Sequence, residues 1–207
     1  FVSQLRVNIL YLYHTIFLLF RYYYGENYLD DAPTYYDWAV SDEYYYNFTF
    51  KAHFYLVFFI RQLNSLFSLN YIQICFIFNI IGTLSLIFLT SVFQNIKFRD
   101  YNNLDKIIIL LFILMPSLNF YTSTIGKDTL VIFATSAFLY AMLNIKNRFL
   151  LIILSLSIIG LIRPYIFFFF FFALIILYFI NFFRSTFINN ISLGLILSFT
   201  FLYLPVT

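Results

Sequence analysis

Between residues 149 and 183 the only charged side chain is Arg163. A helix built from such a run is apolar on every side, which suits lipid or the deep core of a larger protein. A continuous helix over 147–183 would be about 55 Å long, well beyond a hydrocarbon layer of about 30 Å. It would also leave Lys146 and Arg184 on opposite sides of that layer. Two segments turning at Arg163-Pro164 fit better, because proline lacks an amide donor and disfavours helix at the residue before it. Similar apolar runs recur along the chain, and only 10% of its residues are charged. Soluble domains carry about 25%. The sequence therefore reads as an all-α, polytopic transmembrane bundle in a single domain. The phenylalanine run 167–172 reads as lipid-facing filler within a biased composition.

Spans are expected at 5–22, 71–93, 107–122, 129–144, 148–162, 165–183 and 188–205. Residues 24–69 read as an acidic loop followed by an interfacial helix. Its second part, 53–69, is apolar on average but holds Arg61, Gln62 and Asn64, so it is expected to lie along the membrane surface. Basic residues gather on the cytoplasmic side. In this threading Arg6, the connection with Lys97, Arg99 and Lys106, the pair Lys146 and Arg148, and Arg184 all share one side. The N-terminus is then cytoplasmic, and 24–69 is extracytoplasmic. Counting 53–69 as a span would move 94–106 outside, against the rule. The first residue is not Met and the last residues follow an apolar stretch, so a piece of a longer protein is expected. Cys75 stands alone, which excludes a disulfide framework.

Two cations break the charge pattern. Lys127 lies in NFYTSTIGKDTL and Arg163 in GLIRPYIF, both at tight hairpins on the outer side. A charge at membrane depth costs about 2.5–3.5 kcal/mol on the insertion scale, so such residues usually face a cavity or a partner. Snorkelling to headgroups is the simpler explanation for each alone. Lys127 is also placed to pair with Asp128, which suits a helix N-terminus. Taken together, the two hairpins are expected to form an anion site facing the acidic loop.

That loop contains NYLDDAPTYYDWAVSDEYYY, with carboxylates at Asp30, Asp31, Asp37, Asp42 and Glu43. Asp30 and Asp31 follow the first span closely and should sit at the membrane surface. A carboxylate there can accept a proton from a hydroxyl or hold a divalent cation. Tyr35, Tyr36 and Trp38 offer rings for stacking on sugar faces. The plain alternative is that Asp31 caps a helix with Pro33 in its first turn. Asp42 and Glu43 read as solvated.

A first span, an outer loop with DDAPTYYDWA and an interfacial helix resemble the start of the GT-C integral-membrane glycosyltransferases. These include the dolichyl-phosphate-mannose mannosyltransferase-like and RgtA/B/C/D-like bacterial proteins. MPSLNFYTSTIGKDTLVIF and LIRPYIF also look like segments of bacterial surface-polysaccharide enzymes, including O-antigen polymerase-like proteins. The resemblance implies an aspartate base in the first outer loop, here Asp31 or Asp30. It implies a sugar donor on a polyprenyl phosphate, a glycan or lipid acceptor, and a bacterial inner membrane. Lys127 and Arg163, with Asp128, Tyr35, Tyr36 and Trp38 around them, would then bind substrate. The resemblance fixes no cofactor; a divalent cation is compatible, and no nucleic acid is expected as partner. The rival classes are a transporter or flippase of lipid-linked sugars and a non-catalytic membrane subunit.

Other patterns fail. TSTIGKDT is not a phosphate-binding Walker loop, because Tyr121 and Asp128 stand where Gly and Ser or Thr are needed. His14 and His53 lie in unrelated segments and read as packing or interface residues rather than metal ligands. No GxxxG pair is present among the five glycines. Asn47-Phe48-Thr49 matches a glycosylation acceptor, which is a cheap match.

Overall fold

The structure, a computed structural model, describes residues 4–28, 30–41, 53–95 and 103–183. All regular structure among them is helical: α1 Gln4–Asn27, α2 Asp31–Val40, α3 Phe54–Phe67, α4 Tyr71–Asn95, α5 Asn103–Ile113, α6 Pro116–Thr122, α7 Lys127–Met142, α8 Ile145–Ile162 and α9 Pro164–Phe183. Two of these, α4 and α8, are long and apolar enough to cross a membrane. The expected span 165–183 forms the apolar helix α9, while three others fall short for identifiable reasons. Helix α1 has 24 residues but carries Arg6, His14 and Arg21. The segment 107–122 is broken before Pro116, and α7 has only 16 residues. The expected span 188–205, the basic pair Lys97 and Arg99, Arg184, and Asp42 with Glu43 lie outside the described residues.

Local chemistry explains the element ends. Ser68 takes a left-handed conformation, φ 51°, and ends α3. Two residues later a reciprocal capping box opens α4. Asn70 Oδ1 accepts the Gln73 N–H at 3.0 Å, and Gln73 Oε1 accepts the Asn70 N–H at 2.9 Å. Pro116 cannot continue the ladder of α5, so carbonyls before it lose their helical donors. In an apolar setting each must be satisfied from elsewhere. Asn119 Nδ2 donates to the Ile113 and Met115 carbonyls at 2.9 and 3.0 Å. The Tyr13 hydroxyl donates to the Leu114 carbonyl at 2.7 Å.

Helix α7 is the spine. It packs on α4 and α8; α1 packs on α4, and α9 on α8. Ala134, Ala137 and Ala141 of α7 are buried, and small residues of this kind let helix backbones approach closely. One apolar cluster joins α7 to α8 and α9 through Phe138, Leu139, Ile152, Ile159 and Phe170. A second, at the opposite end of α7, gathers Leu18, Tyr35, Leu56, Ile60, Ile74, Phe78 and Ile125. This second cluster seats α2 and α3 over the end of the bundle where the α6–α7 and α8–α9 turns lie.

Between α1, α4 and α6 sits a buried polar knot. His14 Nδ1 is 2.5 Å from Asn79 Oδ1, and its Nε2 is 2.9 Å from Thr122 Oγ1. Asn79 Nδ2 donates to Thr15 Oγ1 at 2.9 Å, and Thr83 Oγ1 donates to the Asn79 carbonyl at 2.9 Å. His14 is thus a packing residue with both ring nitrogens engaged. Gly82 makes the knot possible. A Cβ there would strike the Thr122 carbonyl and stand 2.6 Å from His14 Cε1. Alanine favours helix over glycine by about 1 kcal/mol, but here overpacking outweighs propensity. Gly82→Ala is expected to destabilise by about 1–3 kcal/mol, read as a lower thermal-unfolding midpoint in detergent; an unchanged or raised midpoint would contradict the close approach.

Candidate functional site at the α2–α7 corner

The corner is built outward from Arg21, near the end of α1. Its side chain is only 7% exposed. Nε and Nη2 donate to Asp30 Oδ2 and Oδ1 at 3.2 and 3.4 Å, while Nη1 donates to the Phe120 and Tyr121 carbonyls at 3.2 and 3.0 Å. The guanidinium also lies 5.4 and 5.6 Å from the ring centroids of Phe120 and Tyr121. A cation thus sits against the last carbonyls of α6, where helix dipoles favour positive charge. One side chain ties α1 to α6 and to the start of α2.

Asp30 is the N-cap of α2, with φ −126° and ψ 150°, and its Oδ1 accepts the Asp31 N–H at 2.8 Å. The cap falls on Asp30, so the plain alternative of Asp31 as the cap does not hold. Pairing with Arg21 and capping commit Asp30 to the scaffold. Asp31 occupies the first turn, exposed, and its Oδ2 accepts the Tyr35 hydroxyl at 3.4 Å. Burial, followed by the Asp31 charge, pushes the Tyr35 hydroxyl up to about 12. The charge of Asp128 acts in the same direction and that of Arg163 opposes it, so all four groups share one field.

Lys127 completes the corner. Its Nζ stands 5.6 Å from the centroid of the Tyr35 ring, a cation–π contact. No hydrogen bond or ion pair holds this ammonium among the described residues. The expected local pair with Asp128 does not form. Asp128 instead accepts from Arg163 Nη2 at 2.5 Å, and Arg163 Nη1 donates to the Tyr165 hydroxyl at 2.7 Å. Asp31, Tyr35, Lys127, Asp128 and Arg163 therefore meet at one corner, drawn from α2, the start of α7 and the α8–α9 turn.

Two expected binding residues take other roles. The Tyr36 hydroxyl donates to the Leu69 carbonyl at 3.3 Å, and its ring leans on Tyr71, which links α2 to the α3–α4 reversal. Trp38 packs against Tyr35 and His53, with ring centroids 5.9 and 5.2 Å away. Arg21 was not among the expected site residues. The signal that singled out Lys127 and Arg163, a cation at the expected outer end of an apolar segment, is present at Arg21 too. Among the described residues no three His, Cys, Asp or Glu side chains are grouped so as to hold a metal ion.

No protein-family model, curated protein or solved structure matches the chain.

Two outcomes are expected. Arg21→Ala leaves Asp30 and two helix carbonyls without their cation, a change that typically costs about 3–5 kcal/mol for a buried pair. Loss of α2 docking should shift the emission of Trp38, the only tryptophan. Asp30→Asn keeps the cap but leaves the buried guanidinium without its counter-charge, so it should also weaken α2 docking. The second outcome concerns pH. Tyr35 has its folded pKa raised above the ordinary 10 to about 12. Between those values the folded chain binds more protons than the unfolded one. This contribution to stability is complete below pH 10 and is lost as pH rises toward 12. Chemical unfolding across that range should show a fall in stability that Tyr35→Phe makes shallower; equal slopes would contradict the buried hydroxyl.

Proposed function

We propose that the chain belongs to an integral-membrane glycosyltransferase that moves a sugar from a polyprenyl-phosphate donor to a glycan, lipid or protein acceptor. In this reading the bundle has seven spans, the N-terminus is cytoplasmic, the membrane is a bacterial inner membrane, and the corner faces outward. The observation that carries the reading is the pair of opposite charges around Tyr35, neither of them in an ion pair among the described residues. The Asp31 carboxylate meets its hydroxyl, and the Lys127 ammonium stands over its ring.

Each has a task in transfer. The acceptor hydroxyl attacks the anomeric carbon opposite the phosphate. A carbon–oxygen bond forms to the acceptor as the bond to phosphate breaks, and the bonding pair leaves with the phosphate. Asp31 takes the hydroxyl proton. Lys127, with Arg163 behind it, stabilises the charge that grows on the departing phosphate. Attack from the far face inverts the anomeric centre. Asp30 is too firmly engaged by Arg21 to serve as the base. Tyr35 holds Asp31, while Asp128 holds Arg163.

A transporter or flippase of lipid-linked sugars is the second reading. Buried His14 and the break before Pro116 favour it, since transporters place ionisable groups and broken helices deep in the membrane. Against it, both nitrogens of His14 are hydrogen-bonded within the bundle, and Asn119 and Tyr13 occupy carbonyls exposed by the break.

The test is sugar transfer in membranes carrying the full chain. Asp31→Asn keeps size and helix preference but cannot act as a base. It is expected to lower transfer at least a hundredfold while polyprenyl-phosphate binding persists. Lys127→Gln is expected to weaken that binding. Full transfer by Asp31→Asn would sink the catalytic role, and movement of lipid-linked sugar without transfer would establish the second reading.

A further inference from the structure

The corner holds more charge than one phosphate site needs, and the excess is organised. Asp128 follows Lys127 directly, yet its carboxylate turns to Arg163 at 2.5 Å. The Arg163 side chain is 32% exposed and that of Asp128 is 47% exposed. A pair half in water is held weakly, by about 0–1 kcal/mol, so it can open. Asp128 also has a second place to rest. It lies in the first turn of α7, whose N-cap, Gly126, supplies no side-chain acceptor to the helix amides. The α7 terminus therefore favours this carboxylate whether or not Arg163 is present. Arg163 is steadied by the Tyr165 hydroxyl and by its place before Pro164, so it too stays in position when the pair opens.

We infer that Asp128 is an internal competitor for Arg163: its carboxylate occupies the guanidinium in the empty site, and a phosphate ester arriving at Lys127 must displace or outbid it. The inference rests on the reading of this corner as a phosphate site, and adds what sets its affinity and selectivity. A phosphate monoester or diester anion brings several acceptor oxygens and can bind Lys127 and Arg163 together, which a single carboxylate cannot. A neutral ligand such as a free polyprenol cannot compete for Arg163. Asp128 thereby keeps the corner closed to uncharged lipid, and on product release it returns to Arg163 and weakens retention of the phosphate. A site with Lys127 and Arg163 both bare would hold its product too tightly to turn over.

The experiment measures binding of a short-chain polyprenyl monophosphate to the purified full chain in detergent micelles, with inorganic phosphate and the matching polyprenol as parallel probes. Asp128→Asn is expected to bind the lipid phosphate on the order of five- to tenfold more tightly than wild type, because one like charge is removed a few ångströms from the ligand. Arg163→Gln added to Asp128→Asn should erase the gain and drop affinity below wild type. Trp38 emission matching wild type shows that the corner remains folded; if Asp128→Asn disturbs it, Asp128→Ser replaces that variant and the same gain is expected. Polyprenol should bind no variant at this site. Inorganic phosphate binding as tightly as the lipid, with the same gain in Asp128→Asn, would keep the competitor and assign the phosphate to a soluble source. Wild-type binding with equal or weaker affinity in Asp128→Asn would overturn the inference alone. Absence of phosphate binding in every variant would overturn the phosphate site and the inference with it.

Discussion

Arg21 is the constraint on which the rest of the corner depends. A guanidinium at 7% exposure is tolerable only with its donors engaged and its charge opposed. Asp30 supplies the charge, and two carbonyls at the end of α6 supply further acceptors. The arrangement closes in both directions. Without Asp30 the cation is uncompensated; without Arg21 the acidic start of α2 loses its counter-charge on the bundle. Because Asp30 is also the cap, the same carboxylate sets where α2 begins, and so which faces Asp31 and Tyr35 present.

The interior follows a similar economy. An apolar bundle has few ways to satisfy a polar group, so each interruption of helix needs a dedicated partner. Pro116 creates one such interruption, and Asn119, three residues later, folds back onto the carbonyls it leaves behind. The His14 knot does the corresponding job between helices, joining α1, α4 and α6 through hydrogen bonds rather than through apolar area. Together these contacts hold the short helix α6 firmly, although it has only 7 residues. The turn at 123–126 leads from α6 directly to Lys127. Burial of Ile125 in the cluster with Ile74, Cys75 and Phe78 fastens the turn from its other side.

The corner itself balances. Two acids, Asp31 and Asp128, and two bases, Lys127 and Arg163, give it no net charge, and of these Asp128 and Arg163 are in contact. Of the two cations, Arg163 has an acid in contact, while Lys127 meets the Tyr35 ring. Tyr35 is the pivot: buried by its ring, engaged by its hydroxyl, and covered by an ammonium. Its high pKa keeps it a donor to Asp31 throughout the neutral range.

Much of this was written in local sequence. The proline at 164 marks the turn between α8 and α9, and the Asn70-to-Gln73 spacing is a capping box legible by eye. The apolar runs announce helices, and the misplaced cations Lys127 and Arg163 point to the corner. These features depend on neighbours within a few residues, where backbone chemistry is the whole of the physics. Partner choice is different. Whether Asp128 pairs with Lys127 or with Arg163, 35 positions away, depends on how α7 and the α8–α9 turn are brought together. The adjacent residue on a helix points elsewhere on its surface, so nearness in sequence does not make a pair. The same holds for Asp30 and Asp31, which sequence leaves equivalent and Arg21 separates. Composition and spacing determined that the chain is helical and where its exceptional charges lie; tertiary packing decided which charges neutralise one another and which remain available, because that depends on distances across helices that no local pattern encodes.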